Sequence, residues 1–249
     1  MIVLFEKMAM LVILLALGYL CARMKLVGPE FNKGLSKLVM NLFLVGMILS
    51  SVINKDMELS GSEALTGFLM LTLMVLICLG IGFISPTVLR IKNGDRGMYR
   101  MLVSFMNNGF MGFPLVAAIY GESAVFFASL SNIPFNLLLY SVGVMFLRED
   151  GQREKFKLKD AFVHPRLYAL SFMRLVVAPL VVWFIMHFFV TNPVILGTIV
   201  VLSACPSAVV CTILGIENGR DGIESSEAVF LCTVLSMITI PLLVSILNL

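Results

Sequence analysis

Residues 107–114 read Asn-Asn-Gly-Phe-Met-Gly-Phe-Pro, and residues 203–208 read Ser-Ala-Cys-Pro-Ser-Ala. Each stretch interrupts a long apolar segment, where a helix facing lipid would not hold tandem amides or a proline beside serines. In bilayer hydrocarbon an unpaired backbone group is costly, so irregular sequence at this depth is tolerated only inside protein or beside a water-filled cavity. The two stretches therefore predict a pair of interrupted membrane helices around a functional site.

The composition of the chain places these interruptions in a membrane. Of 249 residues, 59% are hydrophobic and 13% are charged, the mean hydropathy is +1.01, and the charges fall in short clusters between apolar runs. A soluble domain of this size needs far more surface charge to stay in solution. The sequence thus predicts an all-α polytopic membrane protein, and the net charge of +3 reflects loop topology rather than a nucleic-acid partner.

Apolar windows of about twenty residues, the length that crosses roughly 30 Å of hydrocarbon, recur along the chain between turn or charge signals. They predict eight transmembrane helices. The predicted spans are Ile2–Ala22, Leu35–Ile53, Ala64–Ile84, Met98–Tyr120, Ser123–Leu147, Leu170–Phe189, Pro193–Leu214 and Glu224–Leu247.

The charges between these spans predict their orientation. Lys and Arg crowd the loops after the first, third and fifth spans, whereas the loops after the second, fourth and sixth spans are acidic or uncharged. Basic residues concentrate on the cytoplasmic side of membrane proteins. We therefore expect the odd loops to lie inside and both termini to lie outside.

The first interruption combines residue types that unwind a helix with residue types that bind a ligand. Asn107 and Asn108 supply amides that donate and accept, Gly109 and Gly112 are flexible, and Pro114 lacks an N–H group. An unwound crossover would leave one half-helix with free N–H groups and partial positive charge, and another with free carbonyls. An anion suits the first end, and a cation or proton donor suits the second.

Pro206 and Ser207 mark the second interruption as a counterpart of the first. Paired breaks within a weak internal repeat are typical of inverted-repeat transporters, in which two crossed helices meet near the bilayer midplane. The alternative for each break taken alone is a proline kink packed by its neighbours, since Gly and Pro are common in membrane helices. As a pair, and with the tandem Asn, the breaks favour a binding site.

Three further asparagines are weaker candidates for the same site. Asn41 lies in the second span, and Asn132 and Asn136 flank Pro134 in the fifth. Hydrogen bonds between helices would explain these side chains equally well.

Motifs for other kinds of chemistry are absent from the sequence. The chain has no H-E-x-x-H, G-x-S-x-G or G-x-x-x-x-G-K sequence and no Asp or Glu deep in an apolar span. We therefore predict that the protein is not an enzyme and needs no cofactor or metal. Any coupling would rely on the substrate's own proton or on the membrane potential.

The residues around both breaks resemble the auxin efflux carrier family, in its bacterial membrane-transport branch. The Asn-x-Gly-Phe-x-Gly-x-Pro-Leu pattern that begins at Asn107 is the most specific part of a likeness that spans nearly the whole chain. The other similar segments are Gly18-Tyr19 with Arg23, Tyr120-Gly121, Arg174–Leu180 and Ala204–Ala208.

The resemblance implies ten helices in two inverted five-helix repeats, with a scaffold domain, a transport domain and crossed fourth and ninth helices. It also implies transport of small organic anions such as auxin or malate-like dicarboxylates, across a bacterial inner (plasma) membrane. The residues that match the family's two crossovers are Asn107, Asn108, Gly112 and Pro114 in the first and Pro206 and Ser207 in the second.

The chain departs from this family in length. Residues 164–169 are similar to the start of the sixth helix and pass at once into residues 170–174, which are similar to the approach to the eighth. Two helices are therefore predicted to be missing, which preserves the inside–outside order of the rest. We predict a first five-helix repeat at 1–147, a cytoplasmic linker with a remnant of the sixth helix at 148–169, and the three remaining helices of the second repeat at 170–249.

Together these features predict a secondary transporter that moves small organic anions by alternating access. Its expected partners are a small organic acid and the lipid bilayer. A homodimer is a further possible partner: Gly80 and Gly82 would allow close contact between helices, but they do not define a dimer interface. The alternative is a membrane receptor or sensor without transport, or a shortened inactive relative, on the same fold.

Overall fold

The computed structural model of the chain describes residues 61–91, 94–149, 165–220 and 222–249, together with single residues and short stretches between residues 10 and 49. Most of the first two predicted spans, residues 150–164 of the predicted linker and the candidate Asn41 lie outside the described residues.

The described chain is built from helices, as the sequence predicts. The helices are α1 (Gly61–Val88), α2 (Arg96–Ser104), α3 (Phe113–Tyr120), α4 (Glu122–Leu130), α5 (Asn132–Leu138), α6 (Val144–Glu149), α7 (Pro165–Phe172), α8 (Ala178–Met186), α9 (Pro193–Ala204), α10 (Val209–Glu217) and α11 (Ile223–Ile246). Three π-helical turns connect or extend these helices: Asn108–Gly112 leads into α3, Leu139–Gly143 joins α5 to α6, and Met173–Val177 joins α7 to α8.

Within the described ranges, four helical stretches are long and apolar enough to cross a membrane, and two shorter ones belong to interrupted spans. The long stretches match the third, fifth, sixth and eighth predicted spans, and the short ones lie in the fourth and seventh. The long stretches are Glu63–Val88, Glu122–Arg148, Pro165–Met186 and Ile223–Ile246, and the short ones are Asn108–Tyr120 and Pro193–Ala204. The prediction of a polytopic helical membrane protein is confirmed.

The sixth span begins earlier than predicted. The sequence suggested Leu170–Phe189, whereas the helix starts at Pro165 and continues through the π-helical turn to Met186. Proline suits the first helical position, because the N–H group that it lacks would have no partner within the helix. The predicted boundary between residues 169 and 170 therefore falls within a helix, and Arg174 lies near the middle of that helix rather than near its start.

The described residues near the ends of the third, fifth and seventh spans meet at one end of the molecule. Arg220, which follows α10, is buried and donates hydrogen bonds to the Gly94 carbonyl before α2 and to the Leu147 carbonyl in α6, the latter over 2.8 Å. At the same end, the Tyr99 hydroxyl in α2 donates to the Glu224 carboxylate in α11 over 2.6 Å. These contacts agree with spans that alternate in direction.

The long helix α1 has one buried and one exposed apolar face. Leu71, Met74 and Cys78 are fully buried, whereas Leu69 and Leu76 are about half exposed. Lipid tails are as apolar as leucine, so an exposed face of this kind is what a membrane helix presents to hydrocarbon.

Helices α1 and α2 approach each other closely at Gly82. A Cβ atom built there would lie 1.9 Å from Ser104 Oγ and 2.7 Å from the carbonyl oxygen of Arg100. A Cβ atom at Gly80 would meet nothing within 4 Å among the described atoms. Of these two glycines, Gly82 thus serves a contact within the molecule, where it lets α2 lie against α1.

Candidate functional site

The two interrupted helices touch at their breaks through main-chain hydrogen bonds. The Asn107 N–H donates to the Pro206 carbonyl over 2.8 Å, and the Ala208 N–H donates to the Phe105 carbonyl over 2.9 Å. This pairing is antiparallel. Helices α2 and α9 therefore approach the same point from opposite ends of the molecule, and α3 and α10 leave it in opposite directions. We call this junction the crossover.

The first unwound segment lies slightly earlier than the sequence suggests, and the second begins two residues later. Residues 105–107 and 205–208 are not helical, whereas Asn108–Gly112 already forms a π-helical turn. Pro114, predicted to help break the helix, lies in the first turn of α3, a position where proline is well tolerated. It therefore starts the second half-helix instead of ending the first.

Gly112 has a packing role at the crossover. A Cβ atom there would lie 2.8 Å from Leu202 Cδ2 and 3.4 Å from Cys205 Sγ. The glycine thus lets the turn after the first break lie against the end of α9. Gly109, three residues earlier, is half-buried in the same turn.

Asn107 caps the half-helix that follows it. Its side-chain Oδ1 accepts a hydrogen bond from the Phe110 N–H over 3.4 Å, and its main-chain carbonyl accepts from the N–H groups of Met111 and Gly112. Asparagine is among the preferred residues at such a cap, because its oxygen satisfies an amide that has no partner within the helix.

Asn108 holds an acceptor that the surrounding protein leaves unpaired. Its side chain is 2% exposed, its Nδ2 donates to Ser131 Oγ over 3.3 Å, and Ser131 Oγ donates to the Ala128 carbonyl over 2.6 Å. Because the single hydroxyl hydrogen of Ser131 is used there, Ser131 can only accept from Asn108, which fixes the orientation of the amide. Asn108 Oδ1 is then buried and meets no donor in the described part of the chain.

Ser207 ties the second break to the first half-helix. Its buried hydroxyl donates to the Leu102 carbonyl near the end of α2 over 2.6 Å, and Cys232 Sγ of α11 lies 3.6 Å from Ser207 Oγ. In this conformation the hydroxyl satisfies one of the carbonyls at the end of α2, and Pro206 supplies the carbonyl of the main-chain pair. A role for either residue in substrate binding stays a prediction.

The fifth span contacts the first break through residues other than the predicted asparagines. Ser131 reaches Asn108, and the Phe135 ring packs edge-on against Phe105 with 5.5 Å between ring centroids. Ser131 and Phe135 are four residues apart and so share a helix face. Asn132 is half-buried beside that face, and Asn136 is exposed.

Arg174 is fully buried beside both half-helices that enter the crossover. Its guanidinium donates to the Ser203 carbonyl of α9 over 2.8 Å and to the Val103 carbonyl of α2 over 3.4 Å, and it lies 3.9 Å from Cys78 Sγ. Sequence reasoning missed this residue. The available signal was a single charged residue within an apolar span, because such residues are rare in membrane helices and usually functional.

A surface cavity of about 210 Å³ lies near the starts of α1 and α9 and is lined by Glu63 and Asn192 among others. None of the described residues that line this cavity belongs to a break. Asn108 and Ser207, at the centre of the crossover, are buried in protein.

Comparison with known proteins agrees with this architecture. A family model described as "Membrane transport protein" matches residues 3–163 and 156–244. An "Uncharacterized transporter" of Methanothermobacter thermautotrophicus is 22% identical, over 95% of this chain and 96% of the relative. No solved structure matches the chain.

The alignment with this relative also bears on the length of the chain. It has 298 positions, 49 more than the 249 residues here, so the relative has at least that many residues without a counterpart. The two ranges matched by the family model overlap at residues 156–163, next to the point where two helices are predicted to be missing. The family match itself covers nearly all of the sequence, and it includes both of the breaks that cross in the structure, so the chain belongs to the membrane transport protein family, that of the auxin efflux carriers.

Proposed function

We propose that this protein is a secondary transporter of small organic anions that works by alternating access around the crossover. The observation that carries the proposal is the main-chain pairing of the two breaks, which brings together the half-helix ends at Asn108 and Val209. Helix N-terminal ends carry partial positive charge and unpaired N–H groups, so two of them favour an anion. Membership in a transport family supports the same activity.

The orientation of Asn108 supports a narrower substrate class. With its Nδ2 bound to Ser131, the side chain offers a ligand the acceptor Oδ1. A ligand with a hydroxyl or N–H group would pair this acceptor, whereas an analogue without one would leave it buried and unpaired at a cost of about 1–3 kcal/mol. Malate-like acids carry such a hydroxyl, and auxin carries a ring N–H.

Burial of the crossover supports alternating access. Asn108 is 2% exposed and Ser207 is 0% exposed, so a ligand reaches them only after the surrounding helices separate. In transporters with broken helices, one group of helices rocks against another around a fixed midplane site, which opens such a site to each side in turn.

The proposal is tested by counterflow in proteoliposomes, across a panel of mono- and dicarboxylates with and without a pH gradient. The panel includes the pairs malate and succinate, and lactate and propionate, which differ by one hydroxyl group. We expect the hydroxylated member of the transported pair to exchange about tenfold faster at low concentration, because about 1.4 kcal/mol corresponds to a factor of ten. Equal rates within the pair would contradict the role of Asn108 Oδ1, and no counterflow with any carboxylate would contradict the transporter.

A thermal-shift measurement with the same panel separates transport from the receptor alternative. Binding together with counterflow supports a carrier. Binding without counterflow supports a receptor, and neither response supports an inactive relative.

A further inference from the structure

Arg174 is a buried charge that has no carboxylate beside it in the described ranges of the chain. It is 0% exposed near the middle of the Pro165–Met186 helix, and it contacts two main-chain carbonyls and a thiol. Every Asp and Glu that the structure describes lies in a loop or within five residues of a helix end. Because a guanidinium stays protonated in proteins, another group has to balance its charge.

The C-terminal ends of α2 and α9 supply that balance. Val103 and Ser203 are each the second-last residue of their helix, so their carbonyls belong to ends that carry roughly half a negative charge each. Two such ends sum to about one negative charge, which matches one guanidinium. The antiparallel crossing is what places both ends within reach of one side chain.

Other protein groups occupy the neighbouring carbonyls of α2. The Leu102 carbonyl accepts from the Ser207 hydroxyl over 2.6 Å, and the Met101 carbonyl accepts from the Phe105 N–H over 3.0 Å. The carbonyls that a broken helix would offer to a cation are therefore already in use at Met101, Leu102 and Val103.

In transporters with broken helices, unwound carbonyls and half-helix C-terminal ends are where sodium ions or protons bind. We propose that Arg174 is the resident cation of the crossover, with its guanidinium in the place between the ends of α2 and α9 that a coupling sodium ion would need. A substrate anion then crosses without sodium, and each turnover moves net charge. This last consequence rests on the proposed function, whereas the role of Arg174 does not.

The role of Arg174 is tested by thermal unfolding of the purified full-length protein in sodium chloride and in choline chloride at equal ionic strength. We expect the unaltered protein to have the same Tm in both salts. Arg174→Ala is expected to have a lower Tm in choline chloride and to regain about 3 °C or more in ~100 mM sodium chloride, because sodium binds the vacated carbonyls of the folded protein. Arg174→Lys, which keeps the charge, is expected to be insensitive to sodium.

Arg220→Ala is the matched control. Arg220 is also buried and also donates to two carbonyls, but it lies at the end of the molecule, away from the crossover. Its loss should lower the Tm equally in both salts. If Arg174→Ala also lowers the Tm by the same amount in both salts, Arg174 has only a structural role like that of Arg220, and the proposal is overturned. A Tm of the unaltered protein that depends on sodium would overturn it as well. If Arg174→Ala does not fold, Arg174→Gln is measured in the same way.

Transport supplies an independent readout of the same proposal. Uptake by the unaltered protein should be equal in sodium and choline media and should accelerate under an inside-positive potential set by potassium and valinomycin. Uptake that requires sodium would overturn the proposal while leaving the transport function intact. If no carboxylate is transported, the proposed function fails and the Tm comparison still decides the role of Arg174.

Discussion

Asn108→Leu is expected to reduce substrate uptake in proteoliposomes below detection while membrane expression stays normal. Leucine has a similar size and suits a site that is 2% exposed, so the crossover keeps its packing. The change removes the acceptor Oδ1 and the hydrogen bond from Nδ2 to Ser131. A buried donor left unpaired on the ligand costs about 1–3 kcal/mol, or roughly five- to 150-fold in affinity, before any loss of orientation is counted.

Asn218→Leu is the matched control for this prediction. It makes the same replacement at an exposed position at the end of α10 and should leave uptake unchanged. Ser131→Ala should have an intermediate effect, because Asn108 keeps its amide but loses the hydroxyl that orients it. It should therefore weaken the preference for hydroxylated acids. Normal uptake by Asn108→Leu would place the substrate site elsewhere in the molecule.

Gly82→Ala is expected to destabilise the protein by about 1–3 kcal/mol, the usual cost of adding a group to a well-packed interior. The new methyl group would lie 1.9 Å from Ser104 Oγ and 2.7 Å from the main-chain oxygen of Arg100, and a main-chain atom cannot turn aside as a flexible side chain can. Helix α2 would have to move away from α1, and its end at the crossover would move with it. A lower Tm and slower uptake should therefore appear together.

Gly80→Ala tests whether the loss of stability comes from the close contact between α1 and α2 at Gly82. It makes the same change two residues away, where the added atom meets nothing within 4 Å among the described atoms. Alanine also favours a helix over glycine by about 1 kcal/mol, so the Tm should be unchanged or slightly higher. Equal losses of Tm for the two variants would rule out the α1–α2 contact as the cause.

The two breaks could be predicted because each one violates a strong local rule. Tandem asparagines and a proline beside serines are costly in a helix that faces hydrocarbon, so the residues at 107–114 and 203–208 mark an irregularity without any knowledge of the fold. Local sequence does not reveal which groups pair across the chain. The hydrogen bond from Ser207 to Leu102, for example, joins residues 105 positions apart.

Arg174 was missed for a related reason. The predicted span Leu170–Phe189 placed it near a helix end, where arginine is common and reaches the membrane interface. The helix begins five residues earlier, at Pro165, which moves Arg174 well inside the helix, where it needs buried partners. Those partners are the ends of two other helices, and only the crossing of the chain brings them together.

The link between the two breaks is formed by peptide groups, from Asn107 to Pro206 and from Ala208 to Phe105. Replacement of a side chain does not delete a peptide carbonyl, and it deletes a peptide N–H only when proline is introduced. Related proteins can therefore differ in the side chains at the breaks and still keep the hydrogen bonds that join them. A link made of peptide groups is compatible with a relative that is 22% identical to this chain.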